Sequence, residues 1–507
     1  MARTLAELSF EVNRQIGLLI HRSGQVEQVL VGDFKGILIP QLGTVRSSGG
    51  RLKGLRLVHT HLAGEPISDE DLMDLLFLRL DLLSVLQVGS DGLPDRLESA
   101  HLLPGGGELP WDYLEPVHPA QQKDSFHDFI MELEGEFGRK ALKARVDEGR
   151  DRALLISVST ESQVRAEDSL AELTELARSD EIEVLGTVLQ RRRQVNPRLI
   201  MGRGKLADIM IQALQKDANL LIFNQELNPS QIRSITDFTE MRVIDRTQLI
   251  LDIFAHRALS REGKLQVEMA QLKYMLPRLS SRDDALSRLS GGIGARGPGE
   301  TKLEIDRRRI NDRLARLTRE LKEVGRERYR RRSKRRKKEL PVLSLVGYTN
   351  AGKSTLLNTL TNSAIVAEDK LFATLDPTSR RLRFPQEMEV LITDTVGFIR
   401  HLPAELLQAF KATLEELEEA DLLVHVIDLS NPGFREQVRV VEELLRDLDL
   451  SGIPCLKVYN KVDRLGADAE FLLAGARRDG VIISALDAQT FGPFLERAEQ
   501  LMGKILR

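Results

Sequence analysis

Pro341-Val-Leu-Ser-Leu-Val346 runs directly into Gly347-Tyr348-Thr349-Asn350-Ala351-Gly352-Lys353-Ser354, and Thr355–Leu360 follows. The first segment is a short, mostly apolar run bounded by a glycine, which reads as a buried strand, and the last reads as a helix. A strand, a glycine-spaced loop ending in Lys-Ser, and a helix make the P-loop pattern in the context it requires. The glycines let successive backbone N–H groups curl around phosphate oxygens. Lys353 then reaches the β- and γ-phosphates, and the Ser354 hydroxyl can ligate Mg2+. The stretch predicts an α/β domain with a mostly parallel sheet, opening at residue 339.

A P-loop does not choose its base, but three later strand ends do. Glu389–Thr393 is an apolar strand ending in Asp394-Thr395-Val396-Gly397. An aspartate there can hold Mg2+ through water, and the Gly397 amide can sense a γ-phosphate. Leu422–Ile427 and Cys455–Tyr459 are further strands, the second ending in Asn460-Lys461-Val462-Asp463. The Asp463 carboxylate can accept from guanine N1–H and N2–H together. Adenine lacks that donor pair and would leave the carboxylate unpaired. Gly480–Ile483 is a last strand before Ser484-Ala485-Leu486, where a backbone amide can meet guanine O6. Four signals in this order and spacing point to GTP and GDP.

Phe372-Ala373-Thr374-Leu375-Asp376-Pro377-Thr378 lies between the first and second signals. A threonine here can ligate Mg2+ only when γ-phosphate is present, which makes a switch. Thr374 is the first candidate and Thr378 the second, beside a plain turn with a capping threonine. The expected catalytic set is Lys353, Thr374 and Gly397, and the expected metal set is Ser354, Thr374 and Asp394. Position 398 is Phe, where many GTPases place a glutamine that orients the attacking water. Slow intrinsic turnover is expected, accelerated by a partner or by an ion. Asn350 is placed to help hold K+ beside the phosphates.

Outside this domain the chain has its own organisation. At 507 residues it exceeds one core. Its 42% hydrophobic and 29% charged residues are ordinary for a globular protein. Cys455 stands alone, which excludes a disulfide framework or a cysteine-based zinc cluster. The N-terminus lacks a secretory h-region, and no stretch approaches the roughly 18 apolar residues of a membrane span. A cytoplasmic protein with no integral membrane segment is expected, with peripheral membrane association left open.

Ile16–Ile20, Val26–Val31 and Leu55–Val58 read as strands, and Asp69–Leu82 as a helix capped by Ser68. Residues 104–120, rich in Pro and Gly, read as a linker or long loop. Residues 153–244 then alternate strand and helix in a rhythm that argues a small parallel sheet. Leu265, Met269, Leu272, Leu276 and Leu279 fall on one helix face, and Ile310, Leu314, Leu317, Leu321 and Val324 make a heptad seam. The glycine-rich stretch 290–299 between them predicts an antiparallel helical hairpin. Net charge is only −3, yet residues 301–340 hold 18 Lys/Arg against seven Asp/Glu. Residues 326–338, with ten Lys/Arg in 13 positions, read either as a solvated linker or as an RNA contact. Met201-Gly202-Arg203-Gly204-Lys205 is a short glycine-lysine motif, read as a tight turn before the helix at 206. The architecture is therefore multidomain α/β. Residues 1–148 form an extra N-terminal α/β domain with linker, 149–262 a small parallel α/β subdomain, 263–338 the hairpin, and 339–507 the GTP-binding domain.

The strings Ser290-Gly-Gly-Ile-Gly-Ala-Arg-Gly-Pro-Gly-Glu-Thr-Lys-Leu-Glu304, Gly347–Ser354, Leu371–Thr378 and Asp394-Thr-Val-Gly-Phe-Ile399 resemble the HflX family of translational GTPases. The resemblance covers about residues 150–507 and includes Phe398. It implies GTP hydrolysis, a monomeric protein bound to the large ribosomal subunit, and splitting or rescue of stalled ribosomes. It assigns the hairpin tip, with Arg288, Arg296 and Lys302, to rRNA, and it suggests a second nucleotide site at Gly202–Lys205. A large-subunit assembly factor or RNA-binding protein is the alternative. Leu57-Val-His59-Thr-His61 with Ser68-Asp-Glu-Asp71 resembles the HxH…SxxD metal pattern of JAB/MPN (RadC-like) domains. Leu62 replaces their proline, and the last spacing is one residue short. This resemblance implies a three-ligand zinc site, with Glu11 to activate water, and hence a metallohydrolase fused to a regulatory GTPase. The residues alone read as a metal-free fold with His59 and His61 on the surface and Ser68 as a helix cap.

Overall fold

The computed structural model describes residues 1–34, 36–37, 39, 52–104, 109–121, 125–146, 151–239, 241–281, 302–336, 340–361, 371–372, 378–386, 388–400, 402–403, 406–407, 415–466 and 470–505. For 140–146, 280–281, 302–303, 327–336, 378 and 415–416 it describes the backbone alone. The chain divides into two compact units. Met1–Thr160, Ile182–Ile222 and Gln231–Val243 form the first; Glu161–Glu181, Phe223–Ser230 and Ile244–Arg507 form the second.

The first unit opens with helix α1 (Ala2–Val12) and strands β1 (Ile16–His21), β2 (Val26–Val31) and β3 (Leu55–His61). Helix α2 (Asp69–Phe77), strands β4 (Leu82–Val88), β5 (Pro94–Leu102) and β6 (Trp111–Val117), and helix α3 (Phe126–Val146) follow. The strands make one sheet in the order β2-β1-β3-β4-β5-β6, parallel at β3/β4 and antiparallel elsewhere. Leu57, Leu83 and Trp111 of the sheet, Leu75 of α2 and Ile130 of α3 share one core.

Two expectations fail here. The helix after Ser68 stops at Phe77, because Arg79 turns left-handed (φ 47°) and Leu82 already belongs to β4. Trp111–Val117, expected as linker, is a sheet strand, with Leu102 opposite Trp111. Prolines are tolerated on an edge strand, and β6 is one.

Strands β7 (Arg152–Ser159), β8 (Glu183–Arg191), β9 (Leu220–Phe223) and β10 (Arg242–Asp245) form a second sheet in the order β10-β9-β7-β8, with β7 and β8 parallel. Helices α5 (Arg203–Gln215) and α6 (Pro229–Thr239) connect its strands, as the sequence rhythm requires.

In the second unit lie α4 (Gln163–Ser179), α7 (Arg246–Arg257), α8 (Arg261–Met275) and the long α9 (Lys302–Arg336). α8 and α9 pack together, with Leu265, Met269 and Leu317 buried and Arg313 held bidentately by Glu268 at 2.6 and 2.7 Å. Past Met275 the α-helix tightens into a 3-10 turn, Leu276–Ser281. Pro277 has no N–H to continue an α-helix. The hairpin tip, with Arg288 and Arg296, lies outside the described residues.

The rest of this unit is an α/β domain. Its sheet has the order β12-β13-β11-β14-β15-β16, from β11 (Val342–Gly347), β12 (Thr378–Arg383), β13 (Glu389–Asp394), β14 (Leu422–Asp428), β15 (Cys455–Asn460) and β16 (Val481–Ile482). Only the β12/β13 pairing is antiparallel among those described; β11, β13, β14, β15 and β16 run parallel. β12 was not foreseen, since Thr378–Arg383 carries three arginines and reads as polar. It is an edge strand, where charged side chains are the rule. Helices α10 (Lys353–Thr361), α11 (Phe434–Asp447), α12 (Glu470–Asp479) and α13 (Gly492–Ile505) complete the domain.

Candidate functional site

The site is built where the parallel strands end. β11 delivers Gly347, whose φ of 151° brings its Cα against β14: an added Cβ would sit 2.3 Å from the Val426 carbonyl oxygen. At the other end of the loop Gly352 (φ 93°) lies so close to Asn460 that an added Cβ would meet its Nδ2 at 2.3 Å. Between them Asn350 takes the left-handed region (φ 60°), which asparagine tolerates better than most residues.

Lys353, at the start of α10, is buried, and its Nζ donates to the Gly347 and Tyr348 carbonyls at 3.0 and 2.9 Å. Burial pushes its ammonium down to about 8, against a smaller upward pull from Asp394. A buried cation held mainly by carbonyls gains from a multiply charged anion. The Ser354 hydroxyl donates to Asp394 Oδ2 at 2.6 Å. These two hard oxygens, side by side at the loop, suit a small divalent cation such as Mg2+.

The base-selecting end is tied to the phosphate loop through one side chain. Asn460 Nδ2 donates to the Ala351 carbonyl at 2.8 Å, and its Oδ1 accepts from the Ala485 amide at 2.8 Å. Asp463 is exposed, with Oδ1 accepting from the Ser484 hydroxyl at 2.6 Å. Lys461 is left-handed (φ 63°) and pairs with Asp428 at 2.8 Å. Val462 opens the short 3-10 turn that presents Asp463, and Leu486 is exposed beyond buried Ser484 and Ala485. Thr355 lies in the first turn of α10.

Thr395 anchors the strand end by donating to Leu345 O at 2.6 Å, and Val396 is buried behind it. Gly397 abuts Thr349 and the Lys353 head group. Phe398 is zipped to the phosphate loop: its amide donates to Gly347 O at 3.1 Å, and its carbonyl accepts from the Thr349 amide at 2.7 Å. Its ring is 1% exposed, so it is a core side chain that cannot orient water. Ala373, Thr374, Leu375 and Asp376 lie outside the described residues. Phe372, expected near nucleotide, is buried and stacks edge-on against Phe254 at 4.6 Å. Thr378 starts β12, opposite Asp394 in register.

One feature of the site was missed from the sequence. Tyr348 is buried, and its hydroxyl donates to Glu172 of α4 and accepts from the Arg400 amide at 2.9 Å. Glu172 in turn pairs with Arg246 of α7 at 2.5 Å. Nearby, the Leu371 amide donates to Ser179 Oγ at 3.0 Å. Helices α4 and α7 thus touch the phosphate loop, the entry to 373–377 and the stretch after Gly397. The only sequence signal was a tyrosine inside a P-loop, whose buried hydroxyl needs a partner.

Elsewhere, Gly202 caps α5 with an ordinary φ of −72° and Gly204 lies inside the helix, so Met201–Lys205 forms a turn and first helical turn. Lys205 pairs with Asp208 at 3.5 Å. In the first unit His59, His61 and Asp71 come together and are buried, which overturns the surface reading of the histidines. Glu11 is exposed on α1 and is not among the converging ligands.

A mostly parallel sheet, a P-loop and a guanine-reading Asn-Lys-Val-Asp turn define a P-loop GTPase. Residues 167–255 match the family described as GTP-binding GTPase N-terminal, 257–335 the GTP-binding GTPase middle region, and 342–461 the 50S ribosome-binding GTPase. The chain is 48% identical to the GTPase HflX of Caldanaerobacter subterraneus over 70% of its length and 81% of that protein. It is 44% identical to the GTPase HflX of Escherichia coli K12, over 63% of this chain and 75% of that one. A solved GTP-binding protein of Sulfolobus solfataricus in complex with GDP is 25% identical over 70% of this chain and 99% of that chain, with a TM-score of 0.39. The chain belongs to the HflX GTPase family, and it binds and hydrolyses GTP. Among the described residues no helix is long and apolar enough to cross a membrane.

Proposed function

We propose that this GTPase acts on the large ribosomal subunit, in the cytoplasm and as a monomer, to split or rescue ribosomes during translation stress. Phe398 is the observation that carries the reading. The position that would orient water holds a buried ring, so the site is incomplete by itself and a partner completes it. That residues 342–461 match a family described as 50S ribosome-binding supports the large subunit as that partner. α9 supports it with exposed Arg307, Arg316, Arg319 and Lys322, the electrostatic footprint of a phosphate backbone. Arg288, Arg296 and Lys302 at the hairpin tip are assigned to rRNA.

In this reading the P-loop amides and Lys353 hold the β- and γ-phosphates, Asp463 holds guanine N1–H and N2–H, and a backbone amide of the Ser484–Leu486 turn meets guanine O6. Thr374 closes on the γ-phosphate side and Gly397 senses it. Ser354, Thr374 and, through water, Asp394 hold Mg2+, which when bound neutralises charge on the phosphate oxygens. Asn350 helps hold K+ in this proposal, and exchanging K+ for Na+ without a change in rate would dismiss that part.

The test is the GTPase rate with and without large subunits. A partner-supplied catalytic contribution predicts stimulation of about a hundredfold or more. An unchanged rate sinks the proposal. Association only with immature large subunits, without splitting, would favour an assembly factor.

A further inference from the structure

Glu172 bonds to the phosphate loop from outside residues 339–507. It sits on α4, with its side chain 14% exposed. Its two carboxylate oxygens have different partners. Oε1 accepts from the Tyr348 hydroxyl, and Oε2 accepts from Arg246 Nη2 at 2.5 Å. Arg246 is buried and is held in turn. Its Nη1 donates to Asn224 Oδ1 at 3.1 Å, and Asn224 Nδ2 donates to Ser169 Oγ at 2.8 Å. Ser169 lies one turn before Glu172 on the same helix, so the ring of bonds closes on α4 and fixes where the carboxylate points.

Tyr348 joins three parts of the nucleotide site. Its carbonyl accepts from Lys353 Nζ at 2.9 Å. Its backbone runs beside Phe398, tied through the Gly347 carbonyl and the Thr349 amide on either side. Its hydroxyl accepts from the Arg400 amide at 2.9 Å. Gly397 stands directly before these ties and is closely packed. An added Cβ there would lie 2.9 Å from Thr349 Cγ2 and 3.1 Å from Lys353 Nζ.

A phenol has one proton to donate. The Arg400 amide is itself a donor, so the Tyr348 proton goes to Glu172 and a lone pair faces Arg400. Burial, with the Glu172 charge beside it, pushes the phenol upward, so it keeps that proton. An apolar contact of the same size would hold α4 as firmly, since a buried ion pair rarely adds stability over one. Only an acceptor at position 172 turns the hydroxyl so that it can take the Arg400 amide.

We propose that Glu172 is a positioning residue for GTP hydrolysis. Through the Tyr348 hydroxyl it fixes Gly397–Arg400 against the phosphate loop, so that the Gly397 amide stands where the γ-phosphate comes. The inference rests on the reading of Gly397 as the γ-phosphate sensor, and not on the identity of the partner. It has a signature that a mere staple between helices lacks. GDP has no γ-phosphate, so a displaced Gly397 costs affinity for GTP and leaves GDP alone.

The experiment uses the full chain. It measures equilibrium affinity for a non-hydrolysable GTP analogue and for GDP, together with single-turnover GTP hydrolysis. Glu172→Gln keeps the shape, but its oxygen is drawn to Arg246 and its NH2 then faces the phenol. Tyr348→Phe keeps the ring and removes the hydroxyl. Each should weaken analogue binding and slow hydrolysis by about tenfold, the weight of one hydrogen bond to a charged phosphate oxygen. GDP affinity should stay within about twofold of the parent. The double variant should be no worse than either single one, because both act through one hydroxyl. An unchanged ratio of analogue to GDP affinity in Tyr348→Phe, an equal loss of both included, overturns the proposal, and so does a double variant whose losses multiply. Gly397→Ala should lower the same ratio. If it does and Tyr348→Phe does not, the positioning role alone fails; if neither does, the sensor reading fails with it.

Discussion

Two segments of this chain set glycines and a lysine at the start of a helix, and only one is built like a phosphate site. In Gly347–Lys353 the glycines have φ of 151° and 93°, and no side chain fits at either. Val426 O and Asn460 Nδ2 occupy the space a Cβ would take. The lysine is buried on backbone carbonyls. In Met201–Lys205 the backbone is ordinary, a Cβ at Gly202 or Gly204 would meet nothing within 4 Å, and Lys205 pairs with Asp208. A phosphate loop is therefore made by close backbone approach and a dry cation, and the spelling of the motif only permits it.

That contrast can be broken by substitution. The largest effect is expected at the lysines. Lys353→Ala should weaken GTP turnover by about a hundredfold or more, the usual loss when one preorganised charge donor goes. Lys205→Ala should leave turnover within about twofold, as exposed ion pairs carry little. A comparable loss at Lys205, read by GTPase kinetics, would restore a second nucleotide site.

Glycine substitutions should sharpen the same point. Gly352→Ala forces an L-residue into left-handed backbone against Asn460, a strain of about 1–3 kcal/mol, and GDP affinity should fall about tenfold or more. Gly204→Ala should raise stability by about 0.5–1 kcal/mol, since glycine inside a helix is unfavourable. Equilibrium nucleotide titration and thermal melts read the two, and a stabilised Gly352→Ala protein would contradict the geometry.

A further test concerns the helices around the loop. Tyr348→Phe removes the hydroxyl that Glu172 and Arg400 share and should cost about 1–3 kcal/mol, because their polar groups stay buried. A Tyr348→Phe, Glu172→Gln double-mutant cycle with additive losses would mean the contact is not coupled.

Much of the nucleotide site was readable along the chain. Gly347–Ser354, Asp394–Gly397 and Asn460–Asp463 each follow a strand directly, so local spacing nearly dictates where their groups point. Phe398 was legible too, since a ring in place of an amide is visible in any alphabet. What was not readable depends on contacts distant in sequence. Trp111–Val117 resembled a linker because Pro116 within it and Pro110 and Pro119 beside it break the strand signal, and only pairing with β5 makes it a strand. Asp69–Leu82 looked like one helix because Leu72, Leu75, Leu76 and Leu80 suit either element, and the left-handed Arg79 that divides them carries no sequence mark.

The sequence by itself determined a P-loop and the guanine motifs after it, because both are strings of a few residues placed directly at strand ends. The tertiary structure decided the rest. It buried Phe398 against the loop, joined Tyr348 to Glu172 across 176 positions, and closed His59, His61 and Asp71 into one cluster. Spacing along a chain does not set the distance between elements, and packing does.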